Sequence, residues 1–244
     1  MPMARRAATQ EVLSGARPDH EQRLLQFVSD AAHEVVAPVN QVASLAGLLV
    51  NRYRGQLDED AETLLVHIQS AGARAATVAA GLRTYFRILG SERMRTHVNT
   101  VAAIESAVAA LKLEIEECNA EIDYGPLADV EGDAHLLSQL FQILIQNCLQ
   151  FRREDSRPQI AISSQCASMR CLFSVTDNGI GIDPEYNETV FNPFTKLTGH
   201  SSPGAGLGLT LARAIVEIQN GRVWIENPPA QGTTVCFELP EAES

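Results

Sequence analysis

Gly204-Ala-Gly-Leu-Gly-Leu209 runs directly into Thr210-Leu-Ala-Arg-Ala-Ile-Val-Glu217. The first half is a glycine-rich loop, and the second has the apolar spacing of a helix. Upstream lies a second loop of this kind, Asp177-Asn-Gly-Ile-Gly-Ile182, led by an acid. Glycines let a backbone come close to phosphates and reach positive φ angles. A helix that opens from such a loop presents free N–H groups and a positive dipole end to an anion. Either loop alone is weak evidence, since glycine-rich turns are common. As a pair, behind an Asn-bearing helix, they predict an ATP pocket.

Around these loops the pattern is mixed. Val101 to Leu113 reads as a helix, Glu121-Ile-Asp-Tyr124 as a strand and Ala134 to Phe151 as a helix. Strands follow at Gln159 to Ser164 and Arg170 to Thr176. A helix over Leu207 to Gln219 and strands at Arg222 to Glu226 and Thr233 to Leu239 complete the order. Helices segregated onto one face of a mostly antiparallel sheet are expected, an α/β sandwich.

The N-terminal part reads differently. Apolar residues fall at Leu24, Val28, Ala31, Val35, Pro38, Val42, Leu45 and Leu49, in steps of four and three. That is a heptad seam. After a turn around Asn51 to Gln56, Asp58 offers an N-cap with acids in the first helical turn. A second seam runs Ala61, Leu64, Ile68, Ala71, Ala75, Val78, Leu82, Tyr85 and Leu89. Two long helices joined by a short turn make an antiparallel hairpin. One hairpin cannot enclose a core, so pairing with a second copy into a four-helix bundle is expected, a homodimer. Gly90 to Arg95 breaks the pattern as a linker. The chain is thus an α+β protein with a leader over 1–19, a hairpin over 20–90 and an ATP-binding domain over 96–242.

Composition sets bounds. Across 244 residues the formal net charge of -11 gives no footing for nucleic acid, nor for an anionic membrane surface. The longest uncharged apolar stretch, Val42 to Val50, falls far short of the roughly 20 residues of a membrane span. The start, with two arginines and no apolar core behind them, is expected to be a flexible leader rather than a secretion signal. A cytoplasmic location is expected. The five cysteines (Cys118, Cys148, Cys166, Cys171, Cys236) show no CxxC spacing and mostly sit in apolar stretches. They are expected as buried reduced thiols rather than disulfides or metal ligands.

His33 holds the solvent-facing f position of the first seam. A lone surface histidine is ordinarily just that. Here Glu34 follows and can take the imidazole proton, freeing one ring nitrogen as a nucleophile. Pro38 removes an N–H from the helix ladder and can bend the helix just past the pair.

His33-Glu-Val-Val-Ala-Pro38 resembles the phosphoacceptor box of sensor histidine kinases. Gln139 to Arg153 resembles their Asn box, in the version of phytochrome-related, light-regulated members. Asp177 to Ile182 is similar to their first glycine box and Phe191-Asn-Pro-Phe194 to their phenylalanine box. Gly204 to Leu209 is similar to the second glycine box, and Gly232 to Pro240 to the closing strands. The resemblance spans about residues 20 to 240. It implies a dimerisation-phosphoacceptor bundle followed by a Bergerat (GHKL) ATPase domain.

That likeness also implies roles. Asp177 would accept a hydrogen bond from the adenine amino group, and Thr233 would approach the adenine edge. Asn147 would hold Mg²⁺ through its amide oxygen, a hard ligand. Gly179, Gly181, Gly204, Gly206 and Gly208 would give backbone room around ATP and a lid over 195–203. Lys196 would reach the γ-phosphate or stay a solvated surface lysine. His33 would be phosphorylated, with Glu34 as base, and the phosphoryl group would pass to a response-regulator receiver.

Four positions depart from the pattern. Ile143 stands where an Asn is usual one turn before Asn147, and Gln150 where a basic residue is usual; Arg152 or Arg153 would have to compensate. Val36-Ala37 replaces the commoner Arg-Thr, and Ala37 lacks the polar group that bifunctional members use against a receiver. A sensor domain does not fit in the residues ahead of the bundle. Input would come from a separate sensor protein, or the chain is a piece of a longer kinase. Two rivals stay open: a histidine phosphotransfer protein with a decayed ATP-like domain, favoured by Ile143 and Gln150, and an ATP-binding pseudokinase scaffold.

Overall fold

A computed structural model of the chain describes residues 38–53, 56–91, 95–197, 205–227 and 232–242. They divide into two compact units, Met1–Ser91 and Glu92–Ser244. His33, Glu34 and Gly204 lie outside the described residues.

In the first unit, helix α1 covers 38–52 and α2 covers Glu59–Leu89. Asp58 caps α2, its Oδ1 accepting from the Ala61 N–H at 2.7 Å. Such a cap contributes about 1 kcal/mol, and Glu59, Asp60 and Glu62 suit the dipole behind it. The helices meet through small residues. A Cβ on Gly72 would lie 2.7 Å from the Ala43 Cβ, and one on Gly47 would lie 3.1 Å from Gln69. Positions rising along α1 thus meet positions falling along α2, an antiparallel hairpin. The large seam residues Val42, Leu45, Leu49, Leu64 and Ile68 are 44% to 64% exposed. The described crossing closes on alanine and glycine and leaves Leu45, Leu48, Leu49 and Leu64 exposed.

The second unit is built on a five-stranded sheet in the order β2-β4-β5-β7-β6. Its strands are β2 (Glu121–Tyr124), β4 (Gln159–Ala167), β5 (Arg170–Asp177), β6 (Arg222–Glu226) and β7 (Thr234–Pro240). Only β2 and β4 run parallel; the other neighbours are antiparallel. Along β4, Ile160 and Ile162 are buried while Gln159, Ala161 and Ser163 are exposed, the period of two for a sheet covered on one face. The covering helices are α3 (Thr100–Ala110), α5 (Ala134–Gln150) and α6 (Gly208–Ile218), with a short α4 (Lys112–Glu117). Asp133 caps α5, accepting from the His135 and Leu136 N–H groups.

At the core, Phe173 of β5 stacks on Phe237 of β7 at 5.0 Å between ring centroids. Phe141 of α5 meets both edge-on. All three are fully buried. Pairs of this kind add roughly 0.5–1.5 kcal/mol beyond area burial.

Three features differ from the expectation. A two-stranded antiparallel sheet of β1 (Thr96–Val98) and β3 (Val130–Gly132) is present, its strands too short to carry a period. The helix expected over Val101 to Leu113 divides at Leu111 into α3 and α4. Cys166 and Cys171 form a disulfide, so the expectation of five reduced thiols fails for this pair. The two-residue turn Ser168-Met169, both at positive φ, folds β4 back on β5 and sets Cys166 opposite Cys171. Hairpin register, invisible to a search for CxxC spacing, pairs them. Cys118, Cys148 and Cys236 are free. Among the described residues, no helix is long and apolar enough to cross a membrane.

Candidate active site

Asp177 ends β5 at the edge of the helix-covered face. Its Oδ1 accepts from the Gly179 N–H at 2.7 Å, and its own N–H donates to the Thr233 carbonyl at 2.9 Å. The Thr233 N–H and the Cys148 thiol also donate to this carboxylate. Burial raises the carboxyl above the usual aspartate range, and these hydrogen bonds work against the rise. Desolvation wins. The carboxylate is partly buried, holds fixed donors and keeps capacity to accept one more.

Backbone geometry makes this possible. Gly232 has φ +126°, and a Cβ there would overlap the Asp177 carbonyl. No L-residue fits without moving β5 or β7. Gly181 lies against Gly232 in turn, and Gly179 against the Phe151 carbonyl at the end of α5. The Ile180 N–H donates to that same carbonyl at 3.1 Å.

Asn147 sits at the other side. A Cβ on Gly208 would lie 3.1 Å from the Asn147 Oδ1, so the first residue of α6 abuts the amide of α5. Leu207, ahead of it, offers no side-chain cap. The first turn of α6 thus directs N–H groups towards the region beside Asn147. Gly206, at φ +69°, accepts from the Phe194 N–H at 2.9 Å and would press on the Thr195 carbonyl if it carried a Cβ. Lys196 follows Thr195 and is half-buried.

The two halves are joined by adjacent residues of one helix. Asn147 faces Gly208, and Cys148 faces Asp177. The structure thus brings Asp177, Gly179, Gly181 and Thr233 together on one side of α5, and Asn147 against Gly208, two residues past Gly206, on the other. Ile143, one turn before Asn147, is half-buried and brings carbon where an oxygen ligand was sought. Arg152 donates to the Leu149 carbonyl and Arg153 pairs with Asp155, so both guanidiniums are engaged locally. Two contributors escaped the sequence reading. By sequence Cys148 is an ordinary buried thiol, although its place next to Asn147 is a usable signal, and Gly232 only opens the closing strands.

Residues 132–243 match the family described as histidine kinase-, DNA gyrase B- and HSP90-like ATPases. Over 218 residues the chain is 34% identical to cyanobacterial phytochrome A of Nostoc sp., covering 89% of this chain and 28% of the relative. It is also 34% identical to the phytochrome-like protein Cph1 of Synechocystis sp., covering 29% of that protein. Residues 132–243 belong to this ATPase family, and the chain is similar over most of its length to phytochromes and sensor histidine kinases.

Thus the chain spans less than a third of the length of these two relatives. Its fold is shared with full-length ShkA, solved with AMPPNP, at a TM-score of 0.65 and 21% identity over 90% of this chain and 46% of that one. It is shared too with the histidine kinase ThkA, solved with the response regulator TrrA, at a TM-score of 0.62 and 21% identity, covering 93% and 66% of the two chains.

Proposed function

We propose that this chain is an ATP-dependent protein-histidine kinase that phosphorylates its own His33 and hands the phosphoryl group to a response-regulator aspartate. The observation that carries this reading is that adjacent residues of α5 meet both glycine loops, Cys148 at Asp177 and Asn147 at Gly208. Asp177 has the shape and charge to accept from the adenine amino group, a donor that guanine lacks at that edge. Thr233 closes the same wall. The phosphates would lie toward Gly206, Gly208 and the opening N–H groups of α6, with Lys196 in the segment before them.

Asn147 suits Mg²⁺, since its amide oxygen is a hard ligand beside the site of the phosphates. When bound, Mg²⁺ supplies charge neutralisation on the phosphates. The protein's part is positioning: Asp177 fixes the base, Asn147 orients the phosphate end, and Glu34 takes the proton from His33. The bond from the γ-phosphorus to the bridging oxygen breaks, a phosphorus–nitrogen bond to the imidazole forms, and ADP leaves.

The exposed leucines of the hairpin support a dimeric four-helix bundle, with 20–90 as its dimerisation unit and 96–242 as the catalytic domain. A kinase solved with its response regulator supports a receiver as partner. The signal would arrive from a separate sensor protein or from the rest of a longer chain. Ala37 leaves no polar group to position a hydrolytic water, so dephosphorylation of the receiver is expected to be weak. Ile143 favours one second reading, a chain that binds nucleotide without transferring phosphate.

Purified protein given γ-labelled ATP and Mg²⁺, beside His33→Gln, decides between these. Acid-labile label on the wild type alone fits the kinase. Nucleotide binding without label fits the second reading. Absence of both removes the site assignment.

A further inference from the structure

Away from the nucleotide site, the tip of the β4–β5 hairpin brings three metal-ligating side chains together. The sulfurs of Cys166 and Cys171 and a carboxylate oxygen of Glu241 all lie within 4.8 Å of one another. Cys171 is fully buried, and Cys166 and Glu241 are half-buried. Glu241 is held there by backbone. Its N–H donates to the Met169 carbonyl in the turn at 3.0 Å, and it bridges to Val130. Cys171 pairs with Leu239, two residues before Glu241, so both project from the helix-covered face. Two soft sulfurs and one carboxylate, fixed by a turn and a bridge, match what zinc selects.

We propose that, once the disulfide is opened, Cys166, Cys171 and Glu241 form a binding site for a thiophilic divalent cation such as Zn²⁺. Disulfide and metal are alternatives for the same two sulfurs. Opening takes two electrons from a dithiol, which also gives up two protons and becomes a disulfide, or from a phosphine, which becomes its oxide while water supplies the oxygen and the two protons. The S–S bond breaks and two thiols form. On metal binding each thiol releases its proton to solvent and two sulfur–metal bonds form. A tetrahedral metal at about 2.3 Å from each sulfur needs the sulfurs roughly 3.8 Å apart. The facing Cα atoms of Cys166 and Cys171 are 4.0 Å apart, so rotation of the two side chains brings both sulfurs within reach of one ion. The fourth position stays open to water.

The site lies at the far end of β5 from Asp177, about 20 Å away at about 3.3 Å per residue. A cation here would tie the hairpin tip to the C-terminal end of the sheet without entering the nucleotide pocket.

The test uses the whole chain, reduced with a phosphine, freed of reductant without air and titrated with Cd²⁺. A cadmium–thiolate charge-transfer band saturating at one equivalent is expected. The oxidised wild type should show none, and Cys166→Ser should lose it although Cys118, Cys148 and Cys236 remain. Glu241→Gln should weaken binding at least roughly tenfold, since even the loss of an outer-shell partner costs that much. Cys166→Ser replaces a half-buried side chain, and the oxidised wild type needs no substitution, so misfolding cannot mimic the result. No band in the reduced wild type, or an equal band in the oxidised chain or in Cys166→Ser, would overturn the proposal.

Discussion

The Cys148 thiol donates to the Asp177 carboxylate, placing an α5 side chain beneath the acid that ends β5. Burial raises Asp177 in spite of this donor and of the N–H groups of Gly179 and Thr233. A carboxyl whose folded value exceeds its unfolded value of about 3.9 stabilises the fold fully only below 3.9. That contribution is lost as pH rises through the folded value. Nucleotide affinity runs the other way, because the acceptor must be ionised. Titration of nucleotide binding should therefore show an acid limb above the ordinary aspartate value. Asp177→Asn should abolish binding without lowering the nucleotide-free Tm at neutral pH. Cys148→Ala should move the limb up while costing less than about threefold in affinity at neutral pH, since two N–H donors remain and a thiol is a weak one.

Gly232→Ala should be far more damaging than its size implies. The new methyl group meets the Asp177 carbonyl at a φ of +126°. A loss of roughly 2–4 kcal/mol is expected, with nucleotide binding lost alongside. Gly125→Ala, where a Cβ meets nothing within 4 Å, should stay within about 0.5 kcal/mol. Denaturant titration of both variants would show whether backbone approach, rather than glycine content, is what matters.

Ile143→Asn should strengthen the dependence on Mg²⁺. The substitution puts an amide oxygen one turn before Asn147 on the same face of α5. A Mg²⁺ midpoint lowered by roughly threefold to tenfold is expected in the labelling assay, the range of one added hydrogen-bond-scale interaction. An unchanged or raised midpoint would mean that this face of α5 does not meet the metal.

Leu45→Glu and Leu64→Glu should turn a dimer into a monomer. Both leucines are more than half exposed in the single hairpin, and covering each one contributes about 1.5–3 kcal/mol. Sedimentation would show the change, with nucleotide affinity unaltered. A wild type that sediments as a monomer would remove the bundle.

Thiol labelling should report the disulfide. Burial, followed by the Glu226 charge, pushes the Cys236 thiol up to about 12, and burial raises Cys148 as well. In the folded, unreduced chain, Cys118 alone should react promptly with an alkylating agent. Denaturation should expose two more thiols, and reduction a further pair. Mass spectrometry that finds all five alkylated without reductant would contradict the Cys166–Cys171 bond.

Local pattern determined a good part of this protein. The capping acid Asp58, the spacing of Leu137, Leu140, Phe141 and Leu144 on α5, and the alternation through Ile160 and Ile162 are short-range signals. Helix and strand periods express them directly. The two glycine loops, Asn147 and Asp177 were legible for the same reason, since each motif carries its own backbone demand. Tertiary structure decided what depends on partners distant in the chain. Gly232 matters because β7 returns beside the Asp177 carbonyl, and Cys148 because α5 crosses beneath the end of β5. Cys166 finds Cys171 because a two-residue turn sets the register, and Glu241 joins them because the last strand ends next to that turn. The hairpin closes through Ala43 and Gly72 rather than through its leucines, because close helix approach rewards small side chains at the crossing. No local period records such meetings, for they arise only when separate elements pack.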